Sequence, residues 1–380
     1  PKIFNIIFTE KFDDKMKIAF DGKRFFSNSS GLGNYSRDLV RVLANYFPEN
    51  DYILLNKSQS EKGREILDLP NVSFKQIAKG NFSRQLKMGK DAQKVDADIF
   101  HGLSGELPLK WDKKPMKKIV TIHDLIFERF PQYYSFFDRK MHLWKFRKAV
   151  EKADVVIAIS EQTKRDVIHY LKVPESKVKV VYQGCHQAFK EQQSLEFLNS
   201  VKEKFNLPER FILNVGTIEE RKNLLNIVKA VHGTEIPLVV IGKKTKYFKT
   251  VEKFLIKNKI QNQFQFLEGV SMVELAAIYK LADIFVYPSF FEGFGIPVIE
   301  ALFSGTPVIT SNSSSLPEAG GKNSVYINPE NFEDIKAKIL FLWNNEAERK
   351  RRADKGFLYA ENFRDEIIAT ELMKIYREVI

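Results

Sequence analysis

The apolar positions of this chain gather into short, nearly unbroken runs separated by longer stretches with helical spacing. KIAFD (17–21), YILL (52–55), KIVTI (118–122), DVVIAI (154–159) and VKVVY (178–182) read as strands. After Pro208 the series restarts with FILNV (211–215), PLVVI (237–241), FQFL (264–267), DIFVY (283–287) and PVIT (307–310). Runs without polar alternation are expected of strands covered on both faces. With helical segments between them they predict βαβ units and parallel sheets, an α/β fold. The strand series breaks at HQAFKEQQSLEFLNSVKEKFNLPER, a polar and helix-like segment. That break divides the chain into two α/β domains, 1–188 and 189–360, with a final helix over 361–380. In such sheets ligands bind beyond the carboxyl ends of the strands, so the cleft between two facing domains is the expected site.

Composition narrows this picture. Hydrophobic residues make up 44% and charged residues 28% of 380, a folding rather than a disordered composition. No apolar run approaches the roughly 20 residues that cross a bilayer. The start, PKIFNIIFTEKFDDK, lacks the longer apolar core and the cleavage site of a signal peptide. MKIAFDGKRFF reads as a natural first strand, which leaves residues 1–15 as an appendage or an over-long start. Cys185 is the single cysteine, so intramolecular disulfides are excluded and a reducing cytoplasm is expected. The net charge of +12 favours a polyanionic partner, whether nucleic acid, a phosphorylated substrate or an anionic membrane surface.

The chemistry concentrates in SFFEGFGIPVIEALFSGTPVITS (289–311). A buried strand ends at Pro288, Gly293 and Gly295 make a turn, and Pro297 suits the first position of a helix. The free amides of that helix start form an anion site. Glu292 lies in the turn before that helix and Glu300 about one turn into it. A carboxylate beside a phosphate is unfavourable unless it accepts hydrogen bonds, and sugar hydroxyls are natural donors. The alternative is a helix cap with a solvated glutamate. Arg221 and Lys222 follow the strand FILNV; cations at a helix N-terminus oppose its dipole and so suggest a nearby anion, against the alternative of a solvated helix start.

Other features are weaker by themselves. His123 and Asp124 end the strand KIVTI, where a lone histidine is more often structural. His101 ends DADIFHG, on the same expected cleft edge. Gly31 and Gly33 occupy a loop before a helix starting near Asn34, without the third glycine of a dinucleotide fingerprint. Asp96 and Asp98 match a D-x-D metal motif, but they precede a buried strand and read as capping or solvated residues. No histidines show zinc spacing. KWDKKPMKK (110–118) and RKMHLWKFRK (139–148) interleave cations with Trp111, Met116, Met141, Trp144 and Phe146. Such helices either lie on anionic membranes or turn their aromatics to the core.

EGFGIPVIE, with Glu292 and Glu300, resembles the E-x7-E motif of the family 4 retaining glycosyltransferases. SGTPVITSNSSSLPEAGG (304–321) resembles the segment that follows it. VGTIEERKNL (215–224) resembles the family's diphosphate-binding strand–loop–helix, SGLGNYSRDL (30–39) its N-terminal glycine-rich loop, and TIHDLIFERFPQYY (121–134) its active-site histidine segment. The motifs occur in the family's order from about Met16 to the C-terminus. Within the family the chain looks closest to bacterial O-antigen mannosyltransferases.

The resemblance implies the GT-B fold, two Rossmann-like domains facing a central cleft, the first binding acceptor and the second nucleotide sugar. It implies that Glu292 bonds donor-sugar hydroxyls, and that the backbone of Gly293, Phe294, Gly295 and Ile296 holds sugar and phosphates. Glu300 would bond the ribose, Lys222 would neutralise the diphosphate with help from Arg221, and Gly216 and Thr217 would line it. Many relatives carry arginine at the position of Thr217, which puts a second cationic contact in doubt. Val270 would lie at the nucleobase, Gly31 and Gly33 at the donor phosphate or the acceptor, and His123 near C6 of the transferred sugar. Asn34, Tyr35, His101 and Asp124 fall on the acceptor side, Asp124 orienting its loop. The implied reaction is hexosyl transfer with retention from a nucleotide sugar, GDP-mannose favoured over UDP-hexoses, to a glycan or lipid-linked acceptor. It implies no cofactor and no bound metal. The place would be cytoplasmic, with peripheral contact on the inner face of the plasma membrane. A sugar-nucleotide epimerase of the same fold is the alternative; a nucleic-acid-binding protein explains the charge but not the glycine turns or paired glutamates.

Overall fold

Two sheets organise the chain, described by a computed structural model over residues 15–28, 31–80, 82–112 and 115–380. The expected N-terminal appendage, up to residue 14, lies outside the described residues. The first sheet contains β1 (Lys17–Asp21), β2 (Asp51–Asn56), β3 (Val72–Gln76), β4 (Ile99–Gly102), β5 (Lys117–Ile122), β6 (Val155–Ala158) and β7 (Val178–Val180). Their spatial order is β3-β2-β1-β4-β5-β6-β7. The second contains β8 (Ile212–Val215), β9 (Leu238–Ile241), β10 (Phe264–Leu267), β11 (Ile284–Tyr287), β12 (Val308–Ser311) and β13 (Val325–Ile327), in the order β10-β9-β8-β11-β12-β13. Every neighbouring pair of the second sheet is parallel. Both sheets place their first strand beside their fourth, the doubly wound Rossmann order, so each has a switch point where ligands bind.

The continuous apolar runs have the cause expected of them. Alternate residues of the same strands enter two different cores. Leu213, Val239, Phe285 and Tyr287 belong to one cluster, and Ile212, Val240, Val286 and Ile309 to the other. Both faces are therefore covered, and a polar residue on either face must find a buried partner. Asn214 in β8 does so by donating to the Val286 carbonyl at 2.8 Å.

The chain packs as two compact units that do not follow a single cut in the sequence. One comprises the described residues up to Thr121 together with Trp144–Val156 and Ala369–Ile380; the other comprises Ile122–Leu143 and Ile157–Ile368. Among the described residues no helix is long and apolar enough to cross a membrane.

Two local expectations change. Gly31 and Gly33 lie in the first turn of the helix Gly31–Tyr46 rather than in a loop. Gly33 is required there by packing, since a Cβ would come within 2.1 Å of the Asn28 carbonyl oxygen. The helix after the second glycine turn begins at Ile296, so Pro297 is its second residue. Proline is tolerated there because first-turn amides have no intrahelical acceptor.

Candidate functional site

The loops after β8 and β11 meet at the switch point of the second sheet. β11 is wholly buried and ends in Tyr287, whose ring belongs to the core while its hydroxyl reaches the strand end. The chain then turns through Pro288 to Gly295, which adopts φ 128° before the helix Ile296–Phe303. Glu292 sits in this turn. Its Oε1 accepts from the Tyr287 hydroxyl at 2.8 Å and the Ser289 hydroxyl at 2.8 Å. An Arg221 Nη lies 2.9 Å away and Lys222 Nζ 3.2 Å away. Burial alone would raise this carboxyl, but Lys222, Arg221 and the two hydroxyls hold it down at about 2. It is therefore an anion at neutral pH, and a weakly basic one.

The cations come from the loop after β8. Lys222 also hydrogen-bonds the Tyr287 hydroxyl and lies 4.9 Å over that ring. Its stem fills the space a side chain at Gly216 would need, with Cδ 3.1 Å from where a Cβ would stand. Arg221 is bound on three sides, to Glu292, to Glu219 at 2.6 Å and to the Phe291 carbonyl. Thr217 is exposed and Val270 half-buried.

Glu300 lies in the helix Ile296–Phe303, 8% exposed, and accepts from the Tyr279 hydroxyl at 3.0 Å. Burial pushes its carboxyl up to about 7, against the opposing pull of Tyr279 and Lys222. Two carboxylates eight positions apart are thus in opposite electrostatic states, one fixed as an anion and one poised near neutrality.

His123 reaches the same turn. A Cβ on Gly293 would stand 2.2 Å from the His123 carbonyl oxygen, so only glycine permits this approach. The imidazole Nδ1 is 3.1 Å from the Gln183 amide nitrogen. Asp124 accepts from the Ile126 amide at 3.1 Å, and burial raises its carboxyl although that bond and Arg221 lower it.

The remaining expected residues belong to the first unit. His101, expected on the cleft edge, is 0% exposed: its ring nitrogens lie 2.7 Å from the Tyr376 hydroxyl and 2.8 Å from Thr121 Oγ1. Its structural task is to join β4 to the C-terminal helix Asp365–Val379. Tyr35 shares Thr121 at 3.2 Å, while Asn34 is exposed and accepts from Arg37 at 2.7 Å. Asp98 accepts the Lys17 amide at 2.8 Å, a capping arrangement. Among the described residues no group of three or more His, Cys, Asp or Glu is arranged to hold a metal ion.

The basic aromatic segments divide. Trp111 packs edge-on against Phe100 at 5.2 Å, Met116 is buried, and Phe146 fills the space beside Gly105. Met141 and Trp144 are about half exposed, and the neighbouring Phe136 and Phe137 are 63% and 82% exposed.

Several residues of this constellation escaped sequence reasoning. Tyr287 and Tyr279 read as core aromatics, and only their hydroxyl ends face the two glutamates. Ser313, Ser314 and Ser315 read as a loop, yet they wrap the turn. Ser315 donates to the carbonyls of Glu292 at 2.9 Å and Phe294 at 2.7 Å, Ser313 donates to that of Phe290 at 3.2 Å, and Ser314 accepts the Glu292 amide at 3.2 Å. Ser160 had a legible signal, a serine directly before a helix, which marks a cap.

With this geometry in place, comparisons with known proteins agree in direction. Residues 29–188 match the model of Glycosyltransferase Family 4, and residues 197–358 match that of Glycosyl transferases group 1. The chain is 25% identical over 391 residues to O-antigen chain mannosyltransferase B of Escherichia coli, covering 95% of this chain and 100% of that protein. It is 30% identical over 266 residues to the serotype-specific mannosyltransferase WbdA of Escherichia coli, covering 65% of this chain and 32% of that one. Among solved structures, HepE of Anabaena in complex with UDP and glucose superposes with a TM-score of 0.75 at 15% identity, covering 96% of this chain and 100% of that one.

Proposed function

Because this chain belongs to the family 4 glycosyltransferases and has their two Rossmann-like sheets, we propose that it transfers mannose from GDP-mannose, with retention at the anomeric carbon. The acceptor is a glycan or lipid-linked sugar in the synthesis of a cell-surface polysaccharide such as O antigen. Mannose follows from the relatives, which are named as mannosyltransferases, one of them of the O-antigen chain. The chemistry asked of the site does not depend on that choice.

The observation that carries this reading is the Glu292 carboxylate, held ionised between Lys222 and Arg221 just before the helix Ile296–Phe303. In this reading Glu292 accepts hydroxyls of the donor sugar. The backbone of Gly293, Phe294, Gly295 and Ile296 receives the diphosphate with the helix dipole behind it. Lys222 meets the charge that grows on the departing nucleoside diphosphate. Arg221, bound on three sides, acts by holding Glu292. Glu300 takes the ribose hydroxyls, Gly216 and Thr217 flank the diphosphate, and Val270 borders the base. Gly31 and Gly33 approach the donor phosphate, and Asn34 and Tyr35 face the acceptor. His123 stands near C6 of the sugar, and Asp124 fixes its loop.

Catalysis here is leaving-group stabilisation rather than attack by a carboxylate. A carboxylate whose pKa is held at about 2 by two cations and two hydroxyls is weakly basic and a poor nucleophile. The reading needs no cofactor and no bound metal. The acceptor would be met at the inner face of the plasma membrane, on an anionic surface that the exposed aromatics and cations of the helix Phe136–Lys152 suit.

Incubation of the full chain with GDP-mannose or a UDP-hexose, with and without a mannose-terminated glycan, tests this. Transfer requires acceptor and consumes GDP-mannose in preference. Conversion of the donor into an isomer without acceptor would instead identify an epimerase, and no consumption of any nucleotide sugar would remove the reading.

A further inference from the structure

We propose that Ser160 and Thr163 are positioning residues for the transfer step, two buried hydroxyls that lock the loop of His123 to the turn of Glu292. This role rests on the glycosyl-transfer reading of that turn. Ser160 is 0% and Thr163 1% exposed. Both stand at the start of the helix Glu161–Leu171, where Ser160 Oγ accepts the Thr163 amide at 3.0 Å. A cap requires only that acceptor lone pair. The hydroxyl protons are left over, and the helix has no use for them.

Both protons go to distant carbonyls. Ser160 Oγ lies 2.6 Å from the Gly293 carbonyl oxygen, and Thr163 Oγ1 lies 3.1 Å from that of His123. The two hydroxyl oxygens are 3.1 Å apart, and Thr163 Oγ1 is 3.2 Å from the Gly293 oxygen. One proton each therefore satisfies one carbonyl each. The need is physical: the missing Cβ of Gly293 lets the His123 carbonyl press against this turn, which brings two acceptors to the same buried pair of hydroxyls. Donors placed between them turn a repulsive approach into a fixed one.

The helix is itself held from a third side. Glu318 accepts the amides of Glu161 at 2.7 Å and Gln162 at 2.9 Å. Glu292 immediately precedes Gly293, and the His123 ring leaves the other carbonyl's residue, so these two hydroxyls set the separation of imidazole and carboxylate. Neither hydroxyl touches the donor in this arrangement; each acts through the backbone it holds.

Thr163→Val keeps the shape and removes the proton, and Thr163→Ser keeps the proton. Each is compared with the unaltered full chain for kcat with GDP-mannose and glycan, affinity for GDP, and Tm. Thr163→Val should lower kcat roughly tenfold to a hundredfold with GDP affinity within about twofold of the unaltered chain, and Thr163→Ser should restore kcat. Should Thr163→Val fail to fold, Ser160→Gly, a substitution a helix cap tolerates, reads the same loss of kcat. An unchanged kcat in a folded variant overturns the role. So does a parallel fall in kcat, GDP affinity and Tm, which marks a merely structural contact. An unaltered chain that consumes no nucleotide sugar overturns the transfer reading first, and this role with it.

Discussion

The Tyr287 hydroxyl donates to the Glu292 carboxylate at 2.8 Å while accepting from Lys222, so one phenol couples the buried strand end to both charges of the turn. The phenol is buried, and its pKa is pushed well above the ordinary value by burial and by Glu292, so it remains a donor at any working pH. Tyr287→Phe would leave a buried carboxylate short of one donor and Lys222 short of one acceptor. Losing a hydrogen bond to a charged group costs about 1.5–3 kcal/mol, so the urea midpoint should fall measurably. Donor KM should rise about tenfold as Glu292 loses its fixed rotamer. A variant with wild-type KM would show that Ser289 and Arg221 hold Glu292 unaided.

Lys222→Ala should separate catalysis from binding. Glu292 keeps Arg221 at 2.9 Å and the hydroxyls of Tyr287 and Ser289, so the turn survives. What disappears is the cation proposed to meet the leaving group, so kcat should fall about a hundredfold to a thousandfold. Steady-state kinetics with saturating donor check this. A near-normal kcat would take Lys222 out of the chemistry.

Glu300, if it takes the ribose as proposed, should make stability and binding depend on pH in opposite directions. Burial raises its carboxyl to about 7 from an ordinary 4.5. A group raised in the folded state gives stability fully present below its unfolded pKa and lost as pH rises through its folded one. Stability should therefore decline between about pH 4.5 and about pH 7 by on the order of 3 kcal/mol, and Glu300→Gln should flatten that slope in urea titrations. Ribose hydroxyls donate to the carboxylate form, so GDP affinity should rise over the same interval in the unaltered chain. Because GDP's own phosphate titrates nearby, the variant is the control. Equal slopes in both proteins would exclude Glu300 as the titrating partner.

The contrast between His101 and Glu292 explains how far the sequence could be read. Glu292 stood out because its local pattern, a strand end, a glycine turn and a helix start, lies within a few residues, and the cations that hold it come from one other loop. His101 ends a strand in a similar way but is consumed by Tyr376, 275 residues later, and by Thr121. No local pattern predicts a partner that far away. β4 could be read only as the buried strand that follows Asp98, and β13, three residues long, was too short for an apolar run to mark it. β3 escaped for another reason: as an edge strand it reads VSFKQ, mostly solvent-facing, without the apolar run used to find the others. Hydroxyls were the least legible class. Ser160, Thr163, Tyr279 and Tyr287 are ordinary strand-end and helix residues until tertiary contact brings their protons to carbonyls and carboxylates.

The aromatic residues of the helix Phe136–Lys152 should bind anionic lipid. Phe137 is 82%, Met141 48% and Trp144 51% exposed, and their spacing puts them on one helical face. Lys140 lies 5.6 Å over the Phe136 ring, which keeps a cation beside the apolar stripe. Burying an apolar side chain of this size is worth about 1.5–3 kcal/mol, and each cation near an anionic surface about 1 kcal/mol. Removing two such side chains by Phe137→Ser and Met141→Ser should therefore weaken flotation with phosphatidylglycerol-containing vesicles by about tenfold or more, with transfer to a soluble acceptor unchanged. Raising the salt should release the unaltered protein, since screening acts on the cations and not on the rings. Flotation that ignores both the substitutions and the salt would mean that this face meets something other than a lipid surface.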